Sequence, residues 1–249
     1  MALFTLRAPA SLNLPPAFRS VGLRESGDAF VHARRIAAED GAGTLVWVRR
    51  FDMAEFAVVL EPDRPLGEAR KTFFLGMNAL LQAIAAHCPP ERSITFGWPD
   101  AIRFDGGLVG GGRLAWPKRC AEDEVPQWLV FAGTVRVAFS GLTEPGHAPN
   151  AAALEEEGFE GTGPSAIVES FARFLLRQVD IWQASGFGPI VASYLEHLDK
   201  ERAGDTLSLT QAGDLAIRSA AGPSELRLPL LQGLRAVAWL DRDTGEPKL

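Results

Sequence analysis

The 249-residue chain predicts an α+β fold with a small β module after it. Two segments, 66–87 and 164–184, carry apolar residues at helical spacing. Between and before them lie runs rich in β-branched and aromatic residues, in the order strand, helix, strands, helix, strands, helices, which indicates a mixed α+β domain. After residue 202 only short β-like pieces remain, which suits a small barrel-like appendage packed on the main domain. The expected division is therefore an irregular segment over 1–18, a main domain over 19–201 and a small β domain over 202–249.

The composition excludes several classes. At 47% hydrophobic and 22% charged, the chain is an ordinary globular mix able to bury a sizeable core. A net charge of -6 and scattered basic residues argue against nucleic acid as a partner. Two cysteines, Cys88 and Cys120, give no disulfide framework and suit a reducing compartment. No window approaches the roughly 18 apolar residues of a membrane span, and residues 1–18 lack the pattern of a secretory signal. A soluble cytoplasmic protein with no membrane partner is expected.

In chain order, Pro9, Pro15 and Pro16 keep the first segment irregular. Arg19 to Leu23 reads as a short strand. Ala29 to Glu39 reads as a helix with Asp28 as N-cap and Phe30, Ala33 and Ala37 on one face. Thr44 to Arg50 and Glu55 to Glu61 read as strands joined through Phe51-Asp52-Met53. Leu66 to His87 is a helix whose Phe73, Met77, Leu80, Leu81 and Ile84 face the core. Gln127 to Phe139 is a long strand, or two joined by a bend at Gly133, and the glycine-rich residues 141–163 read as a linker or surface loop. Pro164 to Ala184 and Ile190 to Leu198 are helices on either side of a Gly186-Phe187-Gly188-Pro189 break. The small module offers strands at Leu207 to Leu209, Leu215 to Ile217, Leu226 to Leu228 and Ala236 to Leu240.

The most informative stretch is Ser93 to Leu114, SITFGWPDAIRFDGGLVGGGRL. It reads as a strand, a Trp98-Pro99-Asp100 corner, a strand, an Asp105-Gly106-Gly107 turn and a further strand carrying Gly110, Gly111 and Gly112. Glycine weakens a strand interior, so three in a row mark a backbone that a ligand or a packed element approaches closely. No Walker or Rossmann glycine pattern accompanies them.

Trp98-Pro99-Asp100 followed by Asp105-Gly106-Gly107-Leu108-Val109-Gly110 resembles the biotin/lipoate–protein ligase superfamily, and Trp98 to Pro117 resembles the bacterial biotin/lipoate A/B protein ligase proteins. Biotin–protein ligases carry a Lys-Trp-Pro-Asn-Asp corner and a Lys-Leu-x-Gly-Ile-Leu strand. The element order over residues 20–240 is similar as well. The resemblance implies a class II synthetase-like mixed sheet flanked by helices, with a small C-terminal β domain. It also implies an activity: ATP- and Mg²⁺-dependent attachment or transfer of biotin or of lipoate or octanoate, through an acyl-adenylate, to a lysine of a biotinyl- or lipoyl-carrier domain. Trp98, Pro99, Asp100, Gly107, Gly110, Gly111 and Gly112 would then contact the cofactor. A buried Trp at a turn and close strand packing are the structural alternatives.

Such ligases use lysines to bring an α-phosphate and a carboxylate together against their repulsion. Here the two lysine positions are Gly97 and Gly107, and the Arg/Gly-rich loop is reduced to residues 48–53. The candidate replacement cations are Arg49 and Arg50 first, then Arg113 and Arg103, although a guanidinium fork needs other geometry than an ammonium. The departures also support an alternative: a degenerate ligase fold that binds a cofactor or carrier domain without ligating. A third reading makes Cys120, beside Lys118 and Arg119, an acyltransferase nucleophile. His32, His87, His147 and His197 have no ligand spacing, so no metal site is expected, and no serine-hydrolase motif is present.

Overall fold

A computed structural model describes residues 11–139, 148–199, 204–220, 222 and 224–249. The main layer is a seven-stranded sheet. Its strands are β1 (Arg19–Leu23), β2 (Thr44–Val48), β3 (Met53–Leu60), β4 (Ile94–Gly97), β5 (Ala101–Phe104), β6 (Gly107–Ala115) and β7 (Leu129–Arg136). They lie in the order β1-β2-β3-β7-β6-β5-β4, with β1 parallel to β2 and every other pair antiparallel.

Both faces of the sheet centre are covered, which is why β2, β3 and β7 read as continuous apolar runs rather than alternating ones. On the first face Phe56 and Val58 of β3 and Leu129 and Phe131 of β7 meet α3 (Thr72–Ala85) and α4 (Pro164–Ser185). Phe131 stacks on Phe171 with ring centroids 5.6 Å apart. On the second face Ala57, Val59, Val130 and Ala132 meet α1 (Ala29–Asp40). Asp28 caps α1 by accepting from the Val31 N–H at 2.8 Å. Its buried face is Ala29, Ala33 and Ala37, with Phe30 at the edge of the contact, so the helix lies close to the sheet.

Several expectations are corrected. The helix over 66–87 is two, α2 (Leu66–Ala69) and α3, because Lys71, Phe73 and Phe74 donate to carbonyls three residues back and tighten the turn between them. The part of the supposed linker that is described is packed, with Ala152, Ala153, Leu154 and Phe159 buried. It runs beside β6 through Leu108 N–H to Asn150 O at 2.7 Å and Ala152 N–H to Leu108 O at 3.0 Å. Residues 141–147 of that segment lie outside the described residues, as do 1–10 and the boundary expected at 201/202.

After α5 (Gly188–His197), strands β8 (Thr206–Leu209), β9 (Leu215–Arg218) and β10 (Glu225–Leu228) form an open antiparallel sheet in the order β10-β9-β8, not a closed barrel. Ala236 to Leu240 is not a strand. Ala236 ends α6 (Leu230–Ala236), which begins after Pro229 and buries Leu230 and Leu234, one helical turn apart. Among the described residues no helix is long and apolar enough to cross a membrane.

Candidate functional site

The Trp-Pro-Asp corner joins β4 to β5 through a cis Trp98–Pro99 bond. Its three side chains go three ways. Trp98 packs toward Phe74 and Tyr194. Pro99 lies against Gly233 of α6, and its carbonyl accepts from the Tyr194 hydroxyl at 2.7 Å. Asp100 is only 3% exposed, and burial lifts its carboxyl to about 7, with the nearby Trp239 indole offsetting a part of the shift.

The glycines of β6 are filled in by the protein itself. A Cβ on Gly110 would overlap the Thr134 carbonyl of β7. On Gly112 it would meet Met77 Sδ of α3 at 2.5 Å. On Gly111 it would strike the Asp100 carbonyl and the Trp239 indole, whose Cε2 would be 2.5 Å away. On Gly107, one of the two lysine positions, it would be 2.8 Å from Ala152 Cβ, so the 151–154 stretch closes the path a lysine stem would take. At the other, Gly97, the Arg103 guanidinium lies 3.8 Å from where a Cβ would stand, and Arg103 donates to Gly106 O at 3.0 Å.

Gly111 therefore opens toward the second face of the sheet. The cross-strand row Ala101, Gly111, Thr134 and Glu55 runs across that face, and Arg113 stands two residues further along β6. Glu55 accepts from the Ala29 N–H at the start of α1 at 2.9 Å, and burial raises its pKa. Arg113 lies 4.4 Å from the Phe30 ring centroid, and burial lowers its pKa against the pull of Asp28 and Glu55. Asp100 Oδ2, Thr134 Oγ1, Trp239 Nε1 and Arg113 Nε are all buried here without a protein hydrogen-bond partner. The first three belong to side chains that are nearly inaccessible. Buried polar groups are normally satisfied, so a cluster of orphans on one face marks a place for a ligand or ordered water.

The element that covers this face had no sequence signal. Residues 239–248 form a hairpin, with Lys248 N–H donating to Trp239 O at 2.9 Å and Asp241 N–H to Glu246 O at 2.8 Å. Asp241 Oδ1 caps its turn by accepting from the Asp243 and Thr244 N–H groups. Trp239 and Leu240 pack on Leu108 and Ala101.

The candidate cations divide. Arg50 donates to both Asp52 oxygens, at 2.9 and 2.7 Å, and also to Glu246 of the hairpin. Arg49 is exposed, with its guanidinium laid over Gly22. Arg103 belongs to the groove between the main and small sheets, beside Trp98, Asp205 and Glu225. A fifth cation was not anticipated: Arg136 at the end of β7 is 3% exposed and reaches the hairpin. Its only sequence mark is being a lone arginine inside an apolar strand.

Cys120 sits in the loop before β7, its Sγ 3.6 Å from the Ala121 and Glu124 carbonyls. Desolvation and the acids Glu124, Glu122 and Asp123 push its thiol up, the opposite of what a nucleophile needs. Replacing Cys120 by Ser is expected to leave any acyl transfer within about two-fold of wild type, and a larger loss in a labelled-acyl assay would restore the cysteine mechanism. His147 lies outside the described residues. Among the described residues no group of three His, Cys, Asp or Glu could hold a metal ion.

Comparison with known proteins adds to this geometry. A family model described as the biotin/lipoate A/B protein ligase family matches residues 14–196. The biotin–[acetyl-CoA-carboxylase] ligase of Paracoccus denitrificans is 26% identical over 174 residues, 68% of this chain and 70% of that protein. Among solved structures, a biotin protein ligase-like protein of unknown function from a Silicibacter species is similar with TM-score 0.76 at 23% identity, covering 90% of this chain and 99% of that one. The Aquifex aeolicus biotin protein ligase in complex with biotin and ATP has TM-score 0.62 at 13% identity, covering 84% and 95%.

Proposed function

The chain belongs to the biotin/lipoate A/B protein ligase family, and from this premise we propose that it activates a biotin- or lipoate-type acid with ATP and transfers it to a lysine of a carrier domain. In the first step a carboxylate oxygen attacks the α-phosphorus and pyrophosphate leaves. In the second the lysine amine attacks the acyl carbon, an amide forms, AMP leaves and the amine loses its proton. Mg²⁺ would enter with the nucleotide as its complex and offset the charge of the phosphates.

The observation that carries this reading is the cluster of orphaned polar atoms around Gly111: Asp100 Oδ2, Thr134 Oγ1, Trp239 Nε1 and Arg113 Nε. A strand position without a side chain, Gly111, beside unpaired donors and acceptors suits an acyl chain ending in a small polar head. Trp239 is the group that a ligand would displace from Gly111. The relative from Paracoccus, a biotin ligase by name, supports biotin as the first acid to try.

The second reading, a family member that binds an acid or a carrier domain without ligating, is favoured by one observation. The Gly107 position has no room for a lysine, because Ala152 closes it. The test for both is to incubate the pure full-length protein with labelled biotin, lipoate or octanoate, ATP, Mg²⁺ and candidate carrier domains. Acid-dependent pyrophosphate release with label on the carrier is the expected result. No pyrophosphate and no labelled carrier across that panel would end the ligase reading, and calorimetry with the same acids and carriers then decides the binding one.

A further inference from the structure

We propose that Arg136 and Arg50 form a phosphate-binding pair, and that the 239–248 hairpin holds it by placing the Glu246 carboxylate and the Pro247 and Lys248 carbonyls where phosphate oxygens would lie. The starting point is the partner set of Arg136. Its Nη1 donates to Leu108 O at 3.4 Å and Ala152 O at 3.5 Å, and its Nη2 donates to Pro247 O and to Lys248 O at 3.3 Å. All four acceptors are backbone carbonyls. Among the described residues no carboxylate is paired with this guanidinium, and Glu246 acts on it only through space. A buried arginine normally has an anion for a partner, because an uncompensated buried charge is costly.

Arg50 completes the pair. It is anchored by Asp52, while its Nη2 also reaches Glu246, the residue next to Pro247. Arg136 is paired across the sheet with Met53, three residues after Arg50. Two guanidiniums thus converge on one three-residue stretch, Glu246-Pro247-Lys248, which offers them three oxygens. Two positive charges and two planar forks match a phosphate dianion better than a single carboxylate. A cavity of about 490 Å³ lies beside Arg136, walled on one side by Met53 and on the other by Asp241, Thr244, Glu246 and Lys248 of the hairpin.

The hairpin is suited to leave. Its two strands are tied to each other by the Asp241–Glu246 and Trp239–Lys248 links and its turn is held by Asp241, while Leu240 N–H and the Arg242 guanidinium bond back only to the Val237 and Ala236 carbonyls just before it. Its other ties are the two arginines and the packing of Trp239 and Leu240. One movement would free both guanidiniums and uncover Gly111, Asp100 and Thr134. Phosphate binding and hairpin closure therefore exclude each other, and the bound anion competes with an internal one.

The proposal deepens the ligase reading only in naming ATP as the source of the phosphate. The anion site is tested without turnover. Hydrogen exchange of the full-length protein is followed at constant ionic strength with and without inorganic pyrophosphate. Because a two-stranded hairpin lifted off its support is marginally stable in water, pyrophosphate is expected to speed exchange of the Asp241, Gly245 and Lys248 amides by about five-fold or more. By calorimetry, Glu246→Gln is expected to tighten pyrophosphate binding by roughly three- to ten-fold, and Arg50→Gln to weaken it about ten-fold. Arg136→Met should abolish binding; if that variant does not fold, Arg50→Gln and the wild-type exchange still decide. Unchanged hairpin exchange with pyrophosphate, no tightening in Glu246→Gln, or wild-type binding in Arg50→Gln would overturn the proposal. Acetate, a carboxylate with no acyl chain to displace Trp239, supplies the control arm, and equal hairpin opening by acetate would overturn the assignment to phosphate. A silent labelling panel with hairpin release by pyrophosphate would leave the anion site standing and the ligase reading fallen.

Discussion

Gly110→Ala is expected to destabilise the protein by about 3 kcal/mol, and so to lower the thermal midpoint by roughly 6–12 °C for a chain of this size. The reason is the identity of the atom it meets. The added Cβ would overlap the carbonyl oxygen of Thr134, a backbone atom in the strand paired with β6. A flexible side chain could swing aside, but β7 is held on its far side by β3 along its whole length. Relief would need the β6–β7 ladder to open. Gly106→Ala makes the control. Gly106 has nothing within 4 Å and a φ of 88°, so its penalty is conformational only, about 1 kcal/mol. Thermal unfolding of the two variants side by side checks the contrast. Equal shifts would mean that the strand tolerates a methyl and that the overlap is not what requires glycine there.

Asp100→Asn is expected to change the pH dependence of stability rather than to weaken the fold. The buried Asp100 carboxyl titrates at about 7 when folded, far above an ordinary aspartate. Well below the ordinary range both folded and unfolded forms hold the proton, and no penalty arises. Between about pH 4 and pH 7 the unfolded chain loses its proton while the folded one keeps it, so stability falls as pH rises. Above about pH 7 the loss levels off at about 4 kcal/mol. Asparagine keeps the shape and removes the titration. Denaturant unfolding should therefore show the variant more stable than wild type near pH 8, with the advantage vanishing toward about pH 4. Parallel curves for the two proteins would show that Asp100 does not hold its proton in the folded state. The same protonation bears on the site, because a neutral Asp100 can donate as well as accept in the orphaned cluster.

What local chemistry can specify was readable from the chain. Asp28 before an alanine-spaced run marked the start of α1, and the capping bond is there. The stripe Phe73, Met77, Leu80, Leu81, Ile84 marked α3 because it recurs with the helix period. The β-branched and aromatic runs of β2, β3 and β7 marked strands, and it is the structure that buries both of their faces. The short strands of the last module were legible as well, though α6 was not, since seven residues carry too few turns to show a period. The Ser93–Leu114 stretch announced a close approach through its glycines and, by its wording, a family that the match over residues 14–196 establishes. What approaches those glycines was decided only by tertiary structure. Gly110 meets its paired strand, Gly112 meets a helix, and Gly111 meets Trp239, 128 positions away in the chain. Arg136, Arg50 and Glu246 converge in the same way, from a strand, a connection and a hairpin. Periodicity and capping act over a few residues, so a sequence displays them directly. A buried charge and its partners, or an orphaned polar atom, exist only once distant segments have packed and driven water out.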